Sequence, residues 1–222
     1  MNQQTEPAMM ASWKDLEGVT LPDKFQLQNL LSEEGASACF VTRIADGSQP
    51  TGWLWLVLAD AAADGREFKN WQIAAGLRHP NLLQVQETGR TERGVTSMAY
   101  LLTEPADDTL AAVLQERPLD QVEAREVLLS AAKALSYLHA RALVHGKVEP
   151  AAILAVGDET KLTVDKIAPS AEGGDGVLSV ADDLRALGDC IHAMFTQRRE
   201  TDLEHLWLFR SLFETSFAAA ME

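Results

Sequence analysis

The feature that most constrains the fold of this chain is a change in hydrophobic patterning close to Pro105. Before that residue, short runs rich in aromatic and β-branched side chains, typical of strands, are separated by turn-forming residues. After it, apolar residues recur at intervals of three and four, which predicts amphipathic helices. A strand-rich half followed by a helix-rich half favours an α+β protein with two lobes.

The same patterns predict individual elements. In the first half, the strand-like runs are 25–44, 53–59, 79–90 and 96–104, and a single helix is predicted over 65–77. In the second half, Asp120 and Glu123 form a capping-box pattern before a long helix that ends near Ala140. A hairpin over 153–164 and a further helix over 180–197 complete the predicted elements.

Composition excludes several classes of function. The net charge of -14 opposes binding to nucleic acid or to anionic membranes, and it suits a basic partner. The chain has two cysteines, Cys39 and Cys190, and no metal-ligand spacing, which favours a reducing, cytoplasmic location. We find no signal-peptide pattern at the N-terminus, and the longest apolar run, interrupted by Asp60, is too short for membrane insertion.

Five segments resemble, in the same order, the eukaryotic-type (Hanks-type) protein kinase family, over about residues 25–197. They read RHPNLLQVQETG, AYLLTEPADDTL, AAKALSYLHARALVHGKVEP, AAILAVGDETKLT and VADDLRALGDCIHAMFTQR. This resemblance, which covers serine/threonine kinases of bacterial-type signalling, implies a kinase-like bilobal fold. It implies an N-lobe over 21–105 with a five-stranded sheet and one helix, and a helical C-lobe over 106–222. That C-lobe is expected to be truncated after the family's F helix. Residues 1–20 are polar and without a periodic pattern, and we expect them to form a flexible N-terminal arm.

The catalytic loop of the family, H-R-D-x-K-P-x-N, matches HGKVEPAA here. Lys147 stands in the place of the catalytic aspartate, and Glu149 in that of the phosphate-contacting lysine. Ala152 replaces the magnesium-ligating asparagine, and a methyl group cannot coordinate a metal. The resemblance therefore implies that the loop has lost its catalytic groups.

Three other residues match positions that hold the family's loop in shape. His145 and Pro150 correspond to residues that shape the loop itself. Asp183 corresponds to the aspartate that accepts hydrogen bonds from the loop backbone. We expect all three to be structural.

The remaining phosphate- and metal-binding positions are also altered. No lysine lies between Lys24 and Lys69, so the strand that carries the family's ATP-contacting lysine has none, and Asn70 replaces its partner glutamate. The phosphate loop keeps only Gly35, preceded by two glutamates that repel phosphate.

The position of the family's metal-binding aspartate has two alternatives. Direct matching of the residues KLT assigns it to Val164, whereas counting thirteen positions from Ala152 assigns it to Asp165. In both alignments the following Phe-Gly pair of the family is missing. A single remaining carboxylate would not restore catalysis without the other groups.

These losses predict a pseudokinase, a catalytically inactive kinase-like domain without a cofactor that acts as a scaffold or regulatory module through protein binding. A first alternative is that ATP binds as a structural or sensory ligand, contacting Gly35, Thr103, Glu104, Leu154 and Asp165. A second alternative is a divergent active serine/threonine protein kinase. The partner is predicted to be an unknown protein or a second copy of the chain.

The segment after residue 200 carries more apolar surface than one helix face can bury. Its candidate interface residues are Trp207, Phe209, Leu212, Phe213 and Phe217. One alternative is that this segment packs within an abbreviated lobe. Another is that the chain is a fragment whose missing residues would cover it.

Overall fold

The computed structural model describes residues 12–21, 24–44, 52–58, 65–93, 96–170 and 178–196. The chain divides into two compact units. The first unit comprises Met1–Ala75 and Val85–Pro105, and the second comprises Gly76–Gln84 and Ala106–Glu222. No helix of the described part is both long and apolar enough to cross a bilayer.

The first unit is built on an antiparallel sheet. It has the 3₁₀ helix Trp13–Leu16, β1 (Thr20–Leu21), β2 (Phe25–Glu34), β3 (Ser37–Ile44), β4 (Gly52–Leu58), α1 (Arg66–Ala75), β5 (Val85–Arg93) and β6 (Thr96–Thr103). The sheet has six strands in the order β1-β2-β3-β4-β6-β5, rather than the five that we predicted. The additional strand is β1, which is too short to produce a periodic pattern in the sequence.

One face of this sheet is covered by the 3₁₀ helix. Trp13 and Leu16 are 6% and 0% exposed and belong to a core cluster that includes Leu54 and Leu56 of β4. The prediction of a flexible arm over 1–20 is therefore wrong for the residues from Ser12 onward. The physical reason is that burying an indole and a leucine releases enough apolar surface from water to order this segment.

The opposite face of the sheet carries α1. Trp53 and Trp55 point to this face, because alternate residues of a strand lie on opposite faces. Arg90, which pairs with Ala99 on the same side as Trp55, places its guanidinium 4.9 Å from the ring centroid of Phe68 in α1. Both faces of the sheet are thus packed.

The second unit is mostly helical. It has β7 (Asp108–Thr109), α2 (Leu110–Glu116), α3 (Gln121–His139), β8 (Leu143–Val144), the 3₁₀ helix Pro150–Ala152, β9 (Ile153–Val156), β10 (Glu159–Leu162), β11 (Ala168–Pro169) and α4 (Val180–Thr196). Strands β10, β9 and β7 form one small sheet, and β11 pairs with β8. The predicted long helix, hairpin and final helix are confirmed, and α3 begins with the predicted capping box at Asp120 and Glu123.

Residues 76–84 belong to the second unit, although we predicted them in the N-lobe. Hydrogen bonds to β10 explain the difference: Leu83 N–H donates to Leu162 O at 2.9 Å, and the side-chain amide of Asn81 donates to Thr160 O at 2.9 Å. Backbone pairing with a distant strand leaves no signal in a local pattern. The candidate interface residues between 207 and 217 lie outside the described residues.

Candidate functional site

The loop that corresponds to the catalytic loop lies between β8 and β9 in the second unit. Strand β8 pairs with β11 through Val144 and Ala168, so both ends of the surrounding segment are tied together. Thr163 N–H donates to Ala152 O at 2.9 Å, which joins the end of the loop to the residues after β10. The chain therefore brings 145–152 and 163–167 together.

Asp183, in the first turn of α4, anchors the backbone of this loop. Its carboxylate accepts hydrogen bonds from the backbone N–H groups of His145 (2.8 Å) and Gly146 (2.9 Å) and from His139 Nε2 (2.9 Å). The side chain is 2% exposed. Burial raises the pKa of Asp183, but the hydrogen bonds from His139 and from the two backbone amides outweigh it and hold the pKa below its usual value.

His145 is fully buried, and its neutral imidazole links two backbone segments through hydrogen bonds. Its Nε2 donates to Thr163 O at 3.0 Å, and its Nδ1 accepts the backbone N–H of Lys147 at 3.3 Å. This pair of contacts requires a single proton, on Nε2. Burial lowers the pKa of His145 in spite of the nearby carboxylates of Asp183 and Asp165.

This arrangement predicts a pH dependence of stability. The unfolded His145 takes up a proton near pH 6.5, whereas the folded residue stays neutral to lower pH. As the pH falls through about 6.5, the unfolded state binds more protons, so the unfolding free energy should fall by up to ~1.4 kcal/mol per pH unit. Urea unfolding at about pH 7.5 and about pH 5.5 measures this slope.

The control for this prediction is His145→Asn, which should show a shallower slope. His79, whose pKa is lowered by burial and by Arg141 and Lys133, contributes in the same direction in both proteins. The difference between wild type and variant therefore isolates His145. Equal slopes would show that His145 does not titrate as described.

Gly146 stands in the place of the family's arginine, at a position where this backbone leaves no room for a side chain. Its φ is +82°, in the left-handed region that favours glycine. A Cβ at this position would lie 2.9 Å from Lys166 O and 2.8 Å from Leu178 Cδ1. The loop is therefore built around a residue without a side chain.

The two charged residues of the loop, Lys147 and Glu149, form an ion pair whose order along the chain is the opposite of the family's. Lys147 Nζ lies 3.6 Å from Glu149 Oε1, and both side chains are partly exposed. In the family's loop the acid precedes the lysine, whereas here the lysine precedes the acid. An ammonium group cannot accept the proton of a substrate hydroxyl, and a carboxylate repels a phosphate.

Of the positions that would hold magnesium, Ala152 and Val164 offer no ligand, and only the alternative Asp165 carries a carboxylate. Ala152 is buried, and its N–H donates to Glu149 O at 2.8 Å. Val164 is 1% exposed, and Asp165 beside it is half-buried. Within the described ranges, no three or more His, Cys, Asp or Glu residues are grouped so as to hold a metal ion. The residues present do not fit a magnesium–ATP complex.

Strand β4 also lacks the lysine that forms the family's ion pair with the C helix. A lysine in this role must point towards α1, and the residues of β4 on that face are Trp53, Trp55 and Val57. All three are buried. Asn70, the predicted counterpart of the glutamate, is a half-buried residue of α1.

The hairpin that corresponds to the phosphate loop is held by the N-terminal segment. Gly35 lies in the β2–β3 turn with φ +56°, and its carbonyl accepts a hydrogen bond from Trp13 Nε1 at 3.2 Å. Glu33 and Glu34, on the strand before it, are exposed. A hairpin with two carboxylates at its tip is an unfavourable cradle for phosphate.

The other candidate nucleotide contacts lie in different parts of the chain. Thr103 ends β6 in the first unit, fully buried, and its hydroxyl bonds the carbonyl of the half-buried Glu104 at 3.0 Å. Leu154 is buried in β9 of the second unit. Pro150 begins the short 3₁₀ helix of the loop.

Two contacts, one in each unit, were missed by the sequence analysis. His139 reaches Asp183 from the end of α3, and Trp13 reaches the hairpin turn from the N-terminal segment. Their partners are 44 and 22 residues away. No local pattern signals either contact.

Comparison with known proteins places this geometry in context. No protein-family model matches the chain. The serine/threonine-protein kinase PknB of Mycobacterium leprae is 24% identical over 206 residues, covering 79% of this chain and 33% of that protein. PknB of Mycobacterium tuberculosis is 29% identical over 140 residues, covering 60% of this chain and 22% of that protein. The chain thus spans about a third or less of these relatives.

Solved structures agree with the sequence relatives. A kinase domain of Mycobacterium tuberculosis PknI has a TM-score of 0.65 at 21% identity, covering 93% of this chain and 99% of that one. A second PknI structure gives a TM-score of 0.63. These similarities show that the chain has an α+β protein-kinase-like bilobal fold, and the sequence relatives that it resembles are serine/threonine protein kinases.

Proposed function

We propose that this chain is a catalytically inactive kinase-like domain, a pseudokinase, that acts by binding another protein as a scaffold or regulatory module. The observation that carries the proposal is the reversed pair of Lys147 and Glu149, with Nζ and Oε1 3.6 Å apart. It puts a cation where phosphoryl transfer needs a hydrogen-bond acceptor for the attacking hydroxyl.

Other losses point the same way. Apolar residues stand at Ala152 and Val164, and β4 contains no lysine. Each missing group of this kind typically reduces a rate by ~10²–10⁴-fold. Losses within one catalytic unit are not additive, but little positioned charge is left for a phosphoryl group.

Protein binding is the function that this scaffold can still perform. The fold keeps its packed sheet, its anchored loop and its helices, while the net charge of -14 favours a basic partner. Binding needs shape and charge complementarity, and it needs none of the lost groups.

The test combines phosphate transfer with ligand binding. The chain, incubated with labelled ATP and Mg²⁺ or Mn²⁺ and a basic protein substrate, should incorporate no phosphate, with a PknB kinase domain as positive control. ATP, with or without Mg²⁺, should not raise the melting temperature, since only a ligand of the native state does so. Incorporation that disappears in Asp165→Ala would refute the proposal, whereas a melting shift without incorporation would favour a nucleotide sensor.

A restoration variant sharpens this test. Lys147→Asp combined with Glu149→Lys reinstates the family's charges in the loop, yet it leaves Ala152, Val164 and the lysine-free β4 unchanged. We expect this variant to remain inactive. Gain of phosphate transfer would show that the other losses do not disable the site.

A further inference from the structure

Parts of two stretches that contain no acidic residue meet in the second unit. Residues 68–86 and 127–148 are the two longest stretches without Asp or Glu, although the chain has 33 such residues. They come together at Tyr137 of α3, whose hydroxyl accepts the backbone N–H of Arg78 at 3.2 Å. The ring centroids of His79 and Tyr137 lie 4.8 Å apart. None of these contacts involves the loop at 145–152.

Two exposed cations lie beside this ring contact. Lys133 is one helical turn before Tyr137 on α3, and Arg141 follows the end of the helix. The guanidinium of Arg141 lies 3.6 Å from the ring centroid of Tyr137, and its Nη1 donates to Tyr137 O at 3.0 Å. Burial lowers the pKa of His79, and the charges of Arg141 and Lys133 lower it further, so both cations lie near the imidazole. Lys133, His79, Tyr137 and Arg141 together form what we name the α3 patch.

The imidazole of His79 adds a third donor to the α3 patch. Its Nδ1 accepts the backbone N–H of Asn81 at 3.1 Å, so the neutral ring carries its proton on Nε2. Within the described part of the chain, Nε2 has no hydrogen-bond partner, and the atom is not fully buried. It is therefore accessible to a further acceptor.

No carboxylate of the described residues neutralises the α3 patch. The ammonium group of Lys133 forms no ion pair or hydrogen bond there, and the guanidinium of Arg141 bonds only Tyr137. On α3, the residues three and four positions from Lys133 are not acidic: Leu129, Ser130, Ser136 and Tyr137. By contrast, three exposed cations elsewhere pair with acids: Lys24 with Glu87, Arg117 with Glu123 and Arg185 with Asp182. The patch therefore carries two uncompensated positive charges in a chain of net charge -14.

The net charge of the chain limits which anion can reach this patch. A membrane surface or a nucleic acid carries many negative charges and would face the acidic remainder of the chain as well as the patch. A short acidic segment contacts the patch alone, because exposed charges farther away than about 8 Å are largely screened at physiological ionic strength. The patch therefore favours a local acidic segment of a protein, whatever the overall charge of that protein.

The spacing of the two cations sets the geometry of such a segment. Lys133 and Arg141 are eight positions apart, which corresponds to about 12 Å along the axis of a helix. An extended strand rises about 3.3 Å per residue with alternate side chains on one face, so side chains four positions apart lie about 13 Å apart on that face. Three acidic residues at alternate positions would thus place the outer two beside the cations and the middle one beside His79.

We propose that the α3 patch binds an extended acidic segment of a partner protein, with Asp or Glu at three alternate positions. The outer carboxylates pair with Lys133 and Arg141, and the middle carboxylate accepts a hydrogen bond from His79 Nε2. The inference rests on the proposed function, since it names the chemistry by which that binding module recognises its partner.

The experiment is a fluorescence anisotropy titration of the full chain with a labelled peptide that contains Glu-Thr-Glu-Thr-Glu between Gly-Ser flanks. We expect saturable binding that weakens as salt increases. Lys133→Glu with Arg141→Glu should weaken it by at least about tenfold. The matched control is Lys14→Glu with Arg93→Glu, the same charge reversal at two exposed cations of the first unit that form no ion pair within the described residues. This control should bind as wild type does.

Two further changes test the geometry of the site. His79→Phe keeps an aromatic ring against Tyr137 but lacks the donor, so it should bind several-fold more weakly. A peptide of the same composition whose three glutamates are adjacent should also bind several-fold more weakly, because it cannot reach both cations. Circular dichroism of each variant checks that it is folded.

Several results would overturn the proposal. Equal loss of binding in the patch and control variants would show attraction that is not specific to the patch, and equal binding of the two peptides would contradict the alternate spacing. The absence of binding up to about 1 mM peptide would refute the site itself. Tighter binding of a peptide with one phosphothreonine and no glutamate would assign the patch to a phosphate group rather than to carboxylates.

A second copy of the chain is the competing occupant, since the chain itself is acidic. Self-association in sedimentation velocity that Lys133→Glu with Arg141→Glu abolishes would assign the patch to it and overturn the proposal of a separate partner. The readouts are independent of phosphate transfer. Catalysis would refute the proposed function and leave the peptide result intact, and absent peptide binding would refute the patch alone.

Discussion

Replacing Asp183 with alanine should lower the free energy of unfolding of the second unit by about 3–5 kcal/mol. The buried carboxylate accepts hydrogen bonds from His139 and from the backbone amides of His145 and Gly146. Removing it leaves two backbone donors and an imidazole without their acceptor in an apolar surrounding. Each buried unsatisfied group carries its full desolvation cost.

Urea unfolding followed by circular dichroism measures this change. Asp183→Asn, which keeps one acceptor oxygen, should be less destabilised than Asp183→Ala. The matched control is Asp182→Ala, because Asp182 lies one residue away and contacts Ser179 and Arg185 near the surface. If the two alanine variants were equally stable, Asp183 would not be the anchor of the loop.

The same residue predicts an acid-dependent effect. Because the folded pKa of Asp183 lies below the unfolded value of about 3.9, its stabilisation is fully present above that value. It is lost as the pH falls through the folded pKa. The stability difference between wild type and Asp183→Ala should therefore be constant near neutral pH and shrink in strong acid.

Replacing Trp13 with alanine should lower the free energy of unfolding of the first unit by about 3–5 kcal/mol. The indole is 6% exposed in the core cluster with Leu54 and Leu56, and its Nε1 donates to Gly35 O at 3.2 Å. Truncation leaves a cavity on one face of the sheet. It also releases the β2–β3 turn from its hydrogen bond.

Two variants separate the two contributions of Trp13. Trp13→Phe keeps most of the apolar contact and loses the N–H donor, so it should cost about 1 kcal/mol from the hydrogen bond, plus a smaller packing loss. Lys14→Ala, at the exposed neighbouring position, should leave stability unchanged. If Trp13→Ala were as stable as the wild type in urea unfolding, the N-terminal segment would not support the sheet.

Local patterns were sufficient for most elements of the fold. The capping box of Asp120 and Glu123 starts α3 as predicted, because both members of the motif lie within one turn of the chain. The hairpin at 153–162 and the helix at 180–196 follow from their periodicity for the same reason. Local patterns did not reveal β1, because two residues are too few to show alternation.

For the candidate site, the sequence shows which residues are present but not how they contact one another. The chemical identities of Lys147, Glu149 and Ala152 are evident from the sequence, and so is their match to the family's loop. Three features are not evident from the sequence: the tautomer of His145, the contact of His139 and the need for glycine at position 146. Each of them depends on residues that are distant in the chain.

The sequence by itself determined the main strands and helices and the residue types at the positions that match the kinase catalytic loop, since periodicity and residue type are local properties. Only the tertiary structure decided that Trp13 packs under the sheet and that 76–84 joins the second unit. It also decided that the acid-free stretches 68–86 and 127–148 meet at Tyr137. These features depend on contacts between distant residues, whose free energy is gained only when burial and backbone pairing bring them together.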